Sequence, residues 1–277
     1  MTQSPPNMLH LKSIKFRQRQ SLPSLSTFPY DLPILQSLQE IVFSAPVTFF
    51  VGENGSGKST LLEAIACAVG SIAVGSESVK TDKSLTAVRK FAQQQLQLSW
   101  QKRTHKGFFL RAEDFFGYAK KLSQMRQELE DDLNQVDEEY KGRSQTAVAL
   151  AKMPHARELQ AIKQRYGDGL DTYSHGESFL TLFQSRFVPD GLYLLDEPEA
   201  PLSPTRQLAF IAALKQMVAQ NSQFIIVTHS PIIMAYPDAV ILNFDETTLQ
   251  PVAYDDLEHV QLTKSFLNNP QAYLRHL

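Results

Sequence analysis

Eight consecutive residues, Gly52-Glu53-Asn54-Gly55-Ser56-Gly57-Lys58-Ser59, fit the pattern G-x-x-x-x-G-K-[ST], and Thr60 follows. The spacing suits one kind of chemistry. Gly52, Gly55 and Gly57 let the backbone curl until successive N–H groups, those of Asn54 and Ser56 among them, point inward at phosphate oxygens. A helix opening at Lys58 adds the positive end of its dipole. Lys58 then reaches the terminal phosphates of a nucleotide, and Ser59 offers its hydroxyl to Mg²⁺. No Asn-Lys-x-Asp guanine-reading motif is present, which favours ATP over GTP.

A second signal follows far downstream. Leu192-Tyr193-Leu194-Leu195-Asp196-Glu197 is an apolar run that ends in two carboxylates. A buried parallel strand delivers such acids at the ligand crevice. Asp196 is expected to hold Mg²⁺, directly or through water, and Glu197 to polarise the attacking water. Ser174-His175-Gly176-Glu177-Ser178 stands upstream of the acids, and Pro198-Glu199-Ala200-Pro201-Leu202-Ser203 follows them. Thr228-His229-Ser230 ends another apolar strand. Ser174 with Glu177 also reads as a capping box. His175, His229 and Asp196 lack the short spacing of a zinc site.

This order resembles that of the ABC-type ATPases: phosphate loop, signature helix, acidic strand, D-loop and switch histidine. The resemblance covers most of the chain outside a helical insert. It implies two nucleotide domains facing head to tail with ATP between them, an ATP-dependent homodimer. Ser174, Gly176 and Glu177 of one copy would then cap the γ-phosphate held by the other. His175 stands where the family has a Gly, and Glu177 where it has Gln. His229 would touch the γ-phosphate and hold Glu197 and its water, so Glu197, His229 and Lys58 are the expected catalytic groups. A polar residue beside Mg²⁺ is implied where core meets insert, and Glu113 or Gln101 fills that place. An aromatic upstream, Tyr30 or else Phe28, would stack on adenine. The motif runs look more like the structural-maintenance-of-chromosomes and RecF-like branch, and like small stand-alone AAA/ABC-like ATPases of bacteria, than like transporter subunits. The transporter subunit and an ATP-gated DNA-binding, repair or defence module remain as alternatives.

The elements that must carry these groups are legible in outline. Leu9 to Arg19 alternates like a strand. Val47–Val51 is a strand into the phosphate loop and Ser59–Val69 the helix out of it. Leu96–Trp100 and Phe108–Leu110 read as two strands joined near Thr104–Gly107. From Phe115 to Tyr140 the apolar residues recur every three or four positions, one face of a long helix. Ser144 to Gly169 reads as helix broken by Pro154, Gly167 and Gly169. Then come helix 179–187, strand 192–195, helix 205–219 opened by Ser203-Pro204, strand 224–227 and strand 240–244. The expectation is one α/β domain with a mostly parallel sheet and antiparallel N-terminal strands. Its core would be residues 1–113 and 170–277, and its helical lobe 114–169.

Composition bounds the rest. The 277 residues are 43% hydrophobic and 20% charged, which excludes disorder and fibrous repeats. Net charge is −2, so no whole-protein field for nucleic acid exists. Two local basic zones, Lys12 to Arg19 and Arg89 to Lys106, leave a nucleic-acid partner open. One cysteine, Cys67, fits a reducing cytoplasm. No signal peptide and no apolar run long enough for a bilayer are read. A membrane partner is the lesser expectation because the motif runs resemble the non-transporter branch.

Overall fold

A computed structural model describes residues 9–17, 27–74, 79–166, 175–245 and 249–275. The central sheet follows from short runs of apolar, β-branched and aromatic residues. Strands β3 (Val47–Val51), β6 (Leu192–Asp196), β7 (Gln223–Val227) and β8 (Val240–Asn243) join β5 (Phe109–Arg111) and β9 (Gln250–Pro251) in the order β5-β6-β7-β3-β8-β9. All neighbours are parallel except β8 with β9. Parallel strands buried on both faces need apolar side chains at every position, not alternate ones. Two apolar clusters follow from the pleat. Val47, Phe49, Tyr193, Leu195, Phe224 and Ile226 enter one. Phe50, Leu192, Leu194, Ile225 and Val227 enter the other.

A smaller antiparallel sheet, β2 (Glu40–Val42), β1 (Leu11–Phe16) and β4 (Leu96–Trp100), closes over the second cluster. The expected pair 96–100 and 108–110 is therefore no hairpin: β4 belongs to this sheet and β5 to the central one. The two sheets are tied by a buried amide. Gln223 Oε1 accepts the N–H groups of His10 and Leu11 at 2.9 and 2.8 Å, and its Nε2 donates to the Leu11 carbonyl at 3.0 Å. Such a side chain at the head of β7 is satisfied only while β1 stays in place.

Helices α1 (Pro33–Ser37), α2 (Lys58–Val69) and α3 (Thr86–Gln95) pack into the second cluster. The first cluster takes α6 (His175–Arg186), α7 (Pro204–Val218) and the long pair α4 (Ala112–Glu139) and α5 (Gln145–Tyr166). Leu122 and Leu129 of α4 meet Leu159 and Ile162 of α5 within that cluster. Asp137 and Asp132 pair with Lys152 and His155 across the two helices. Pro154 does not break α5 as the sequence suggests; the helix runs through it. Ser203 stands at the N-cap of α7 without a capping side-chain bond, and Pro204 opens the helix. Beyond β9, α8 (Pro231–Met234) receives a C-terminal segment with α9 (Glu258–Asn268) and α10 (Pro270–Leu274). Leu257 and Val260 are buried there, and Tyr254 Oη donates to the Pro231 carbonyl at 3.0 Å.

Two positions make the fold intolerant of change. Gly107 has φ +107°, and a Cβ on it would lie 1.9 Å from the Leu192 carbonyl oxygen. Gly107→Ala is expected to cost about 3 kcal/mol in urea unfolding, from strain and collision with backbone. Arg111, at the end of β5, donates to Asp114 at 2.7 Å, Asp82 at 2.9 Å and Glu63 at 3.2 Å. It thereby ties α4, the segment before α3, and α2 together. Arg111→Ala removes the shared cation of three carboxylates and is expected to cost about 3 kcal/mol. Arg111→Lys restores little, because an ammonium lacks the planar fork. Burial pushes the Asp82 carboxyl up, but hydrogen bonds from Ser84 and Arg111 outweigh it and hold the group below its ordinary value. Its contribution to stability is full above the unfolded pKa of about 4 and is lost as pH falls through the folded one. The acid limb of a stability-pH curve should flatten in Arg111→Ala.

Candidate functional site

The carboxyl end of β3 opens into the loop 52–57, and α2 starts directly after it. Gly57 is the N-cap of α2 in the left-handed region, at φ +97°, and a Cβ there would sit 3.0 Å from Ile34. No side chain caps this helix, so its first N–H groups stay available to a ligand. Glu53, Asn54 and Gly55 form the exposed tip, while Ser56, Ser59 and Thr60 are half-buried. Lys58 is only 4% exposed. Its Nζ donates to the carbonyls of Gly52 and Glu53 at 2.7 and 2.6 Å, and to Ser56 Oγ at 3.3 Å. Burial lowers its pKa, against the opposing pull of Asp245, Glu197, Asp196 and Glu53.

Asp196 ends β6 and reaches this loop. Ser59 Oγ donates to Asp196 Oδ1 at 3.0 Å, across 137 residues of sequence. Two converging oxygens of this kind suit a hard cation such as Mg²⁺, which takes its other ligands from phosphate and water. Among the described residues no cluster of three or more His, Cys, Asp or Glu could hold a metal by itself. The donor set thus fits Mg²⁺ brought in with a phosphate ligand.

Glu197 follows in the left-handed region, at φ +48°, with its N–H donated to the Val227 carbonyl at 2.9 Å. A non-glycine residue there is strained and stays only when its surroundings fix it. The turn aims the carboxylate at His229, whose Nε2 is 3.8 Å from Glu197 Oε1. That is beyond hydrogen-bond range. Burial, with Lys58 adding to it, lowers the His229 pKa from its ordinary 6.5. That shift disfavours the imidazolium, and so an ion pair with Glu197. The His229 N–H donates to Glu199 Oε1 at 2.6 Å. Burial raises the Glu199 carboxyl's pKa, against hydrogen bonds from the His229 backbone and the Thr228 side chain. Ser230 caps α8, accepting the N–H groups of Ile232 and Ile233 at 3.2 Å.

Other expected residues fall elsewhere. Tyr30 is a correction: it is 8% exposed, its ring packs edge-on against Phe91 at 5.3 Å, and its hydroxyl donates to Gln94 at 3.0 Å. It is a core aromatic and presents no face for adenine. Phe28 is exposed. Gln101 donates its N–H to the His10 carbonyl, and His10 contacts Asn221 at the start of β7. That is the end of the sheet remote from His229. Glu113 is the second residue of α4, just past Arg111, whose register partner is Asp196; its side chain is outside the described part. Ser174 lies outside the described residues. Gly176 and Glu177 are in the first turn of α6, with side chains likewise not described.

The direction of α6 is fixed by its aromatics. Phe179 meets Phe115 of α4 at 4.9 Å, while Phe187, just beyond its end, meets Tyr193 and Phe224 near the starts of β6 and β7. The first turns of α6 and α2 therefore open at the same end of the sheet, from opposite faces. The second basic zone is largely engaged in the fold. Lys102 and Lys106 lie 3.0 and 3.9 Å from Asp190, and Arg89 donates to the Val79 carbonyl at 2.6 Å.

Sequence reasoning missed Arg111, Asp245 and His259. Asp245, just past β8, accepts the Glu53 N–H at 2.6 Å. The signal was available: β8, like β6, is an apolar run followed by an acid. A cavity of about 480 Å³ lies between Gly52–Asn54, His229, Asn243, Asp245 and the start of α9, where His259 stands. His259 Nε2 is buried with no hydrogen-bond partner among the described residues. No helix among the described residues is long and apolar enough to cross a membrane.

Residues 33–87 match the AAA domain family. No curated protein matches this sequence. Among solved structures, the Smc head domain of Pyrococcus furiosus, bound to the C-terminal domain of ScpA, is similar at a TM-score of 0.46 and 12% identity, covering 95% of this chain and 100% of that one. The SMC head domain of Thermotoga maritima is similar at a TM-score of 0.41 and 17% identity over 88% of this chain and 100% of that one. CbiO1 of Clostridium perfringens, part of the ABC transporter complex cbiONQ, gives 0.45 and 15% over 98% and 100%. The segment matched by the AAA domain family runs from α1 to the start of α3, and so contains the whole phosphate loop.

Proposed function

We propose that this chain binds ATP with Mg²⁺ and hydrolyses it, working as a head-to-tail pair in a cytoplasmic setting. The observation that carries the reading is the meeting of Ser59 and Asp196 at 3.0 Å beside the buried Lys58 ammonium. Three residues from two distant segments converge where a triphosphate would enter.

Each group has a task set by its chemistry. The loop N–H groups and the open start of α2 hold phosphate oxygens. Lys58 exchanges its bonds to the Gly52 and Glu53 carbonyls for bonds to the terminal phosphates. Ser59 and Asp196 hold the cation, which when bound neutralises developing charge on the phosphates. Glu197 orients the attacking water and takes its proton, from a backbone turn that fixes the carboxylate. His229 donates a hydrogen bond to phosphate or to that water. Most of the effect is positioning and charge stabilisation. The pair is supported by α6 and α2, whose first turns face the same end of the sheet from opposite faces. On this reading the start of α6 reaches a second copy's phosphate loop.

Lys58→Ala is expected to weaken ATP binding by about two orders of magnitude in calorimetry. Unchanged affinity would refute the cradle. Glu197→Gln should keep ATP binding and lose roughly 10²–10⁴-fold in turnover. It should also double in mass by light scattering when ATP is added. Wild-type turnover in that variant removes Glu197 from the chemistry, and a constant monomer mass removes the paired arrangement.

A further inference from the structure

We propose that Asp245 is the positioning residue of the phosphate loop, a latch from the neighbouring strand that fixes the loop's first arm for nucleotide. The inference rests on the nucleotide reading above and deepens it.

The loop's second arm needs no help, because it becomes α2 and is fixed by that helix. Its first arm, Gly52 to Asn54, has no such support. It leaves a buried strand and is exposed at its tip by Glu53. Asp245 supplies the hold. It follows β8, whose Val51↔Asn243 register with β3 brings the two strand ends side by side. The Asp245 N–H donates to Asn243 Oδ1 at 3.1 Å, which bends the chain back toward the loop. Asp245 Oδ1 then accepts the Glu53 N–H at 2.6 Å, a charge-assisted bond across 192 residues. The approach is close enough that a Cβ on Gly52 would lie 2.7 Å from that same oxygen. Glycine at this position leaves room for the Asp245 carboxylate to approach, and its φ of +138° independently favours glycine.

The same carboxylate has a second effect. Lys58 donates to the Gly52 and Glu53 carbonyls, the two peptide units beside the latch. The latch thus orders the arm that Lys58 leans on. Asp245 touches no reacting atom; it acts through Glu53 and Lys58.

Two substitutions separate these effects. Asp245→Asn keeps an acceptor for the Glu53 N–H and loses the charge, whereas Asp245→Ala loses both. ADP and a non-hydrolysable ATP analogue, each with Mg²⁺, are titrated into wild type, both variants and Lys58→Ala by calorimetry, with melting temperatures measured alongside. The expected result is a loss of about 10-fold or more in affinity for both nucleotides in Asp245→Ala, with most of it restored in Asp245→Asn. Wild-type affinity in Asp245→Ala overturns the latch. So does an equal loss in both variants, which assigns the effect to charge alone. Should Asp245→Ala fail to fold, Asp245→Asn against Asp245→Ser carries the same comparison, since the shorter hydroxyl cannot span to Glu53. If wild type binds neither nucleotide, the nucleotide reading itself fails and the latch with it. If wild type binds and Lys58→Ala does not, while Asp245→Ala equals wild type, only the latch fails.

Discussion

Strand β3 has no free side. Its five residues are buried, β7 pairs with one edge and β8 with the other, and apolar clusters cover both faces. The chain that leaves it at Gly52 therefore starts from a fixed point and direction. Its parallel neighbours end at the same level, about 4.8 Å apart from strand to strand. In the order β6-β7-β3-β8 these ends carry Asp196 and Glu197, then His229, then the phosphate loop, then Asp245. The site is a row of adjacent strand ends, and the sheet sets its spacing before any side chain contributes.

What the sheet does not fix is supplied by irregular backbone and buried polar groups. Glu197 holds a left-handed conformation because its N–H is committed to Val227 on the next strand. Glu199 grips the His229 backbone from two residues further on. The carboxylate and the imidazole are thus placed by one short segment, and their separation of 3.8 Å is a property of the turn.

Much of this was legible in the residues. The turn between β3 and α2 declares itself because its glycines and lysine are contiguous, and β6 and β7 because fully buried parallel strands need unbroken apolar runs. The pairing of β4 with β1 and of β5 with β6 was not legible, since short strands carry no record of distant partners. Tyr30 could have been core or platform by type alone; only its burial against Phe91 decides. Pro154 reads as a breaker, yet packing of α5 on α4 carries the helix past it. The segment after β8 escaped notice because α9 buries few of its residues, Leu257 at its cap and Val260 among them. Asp245 and Arg111 are single charged residues whose meaning lies wholly in their neighbours.

Arg111 has a mechanical corollary. Its guanidinium is one rigid plane, with Glu63 of α2 at one corner and Asp114 of α4 at another. Glu63 lies one turn from Ser59 on the same helix. The start of the long helical pair and the helix that carries Ser59 are thus joined through a planar side chain rather than through apolar packing alone.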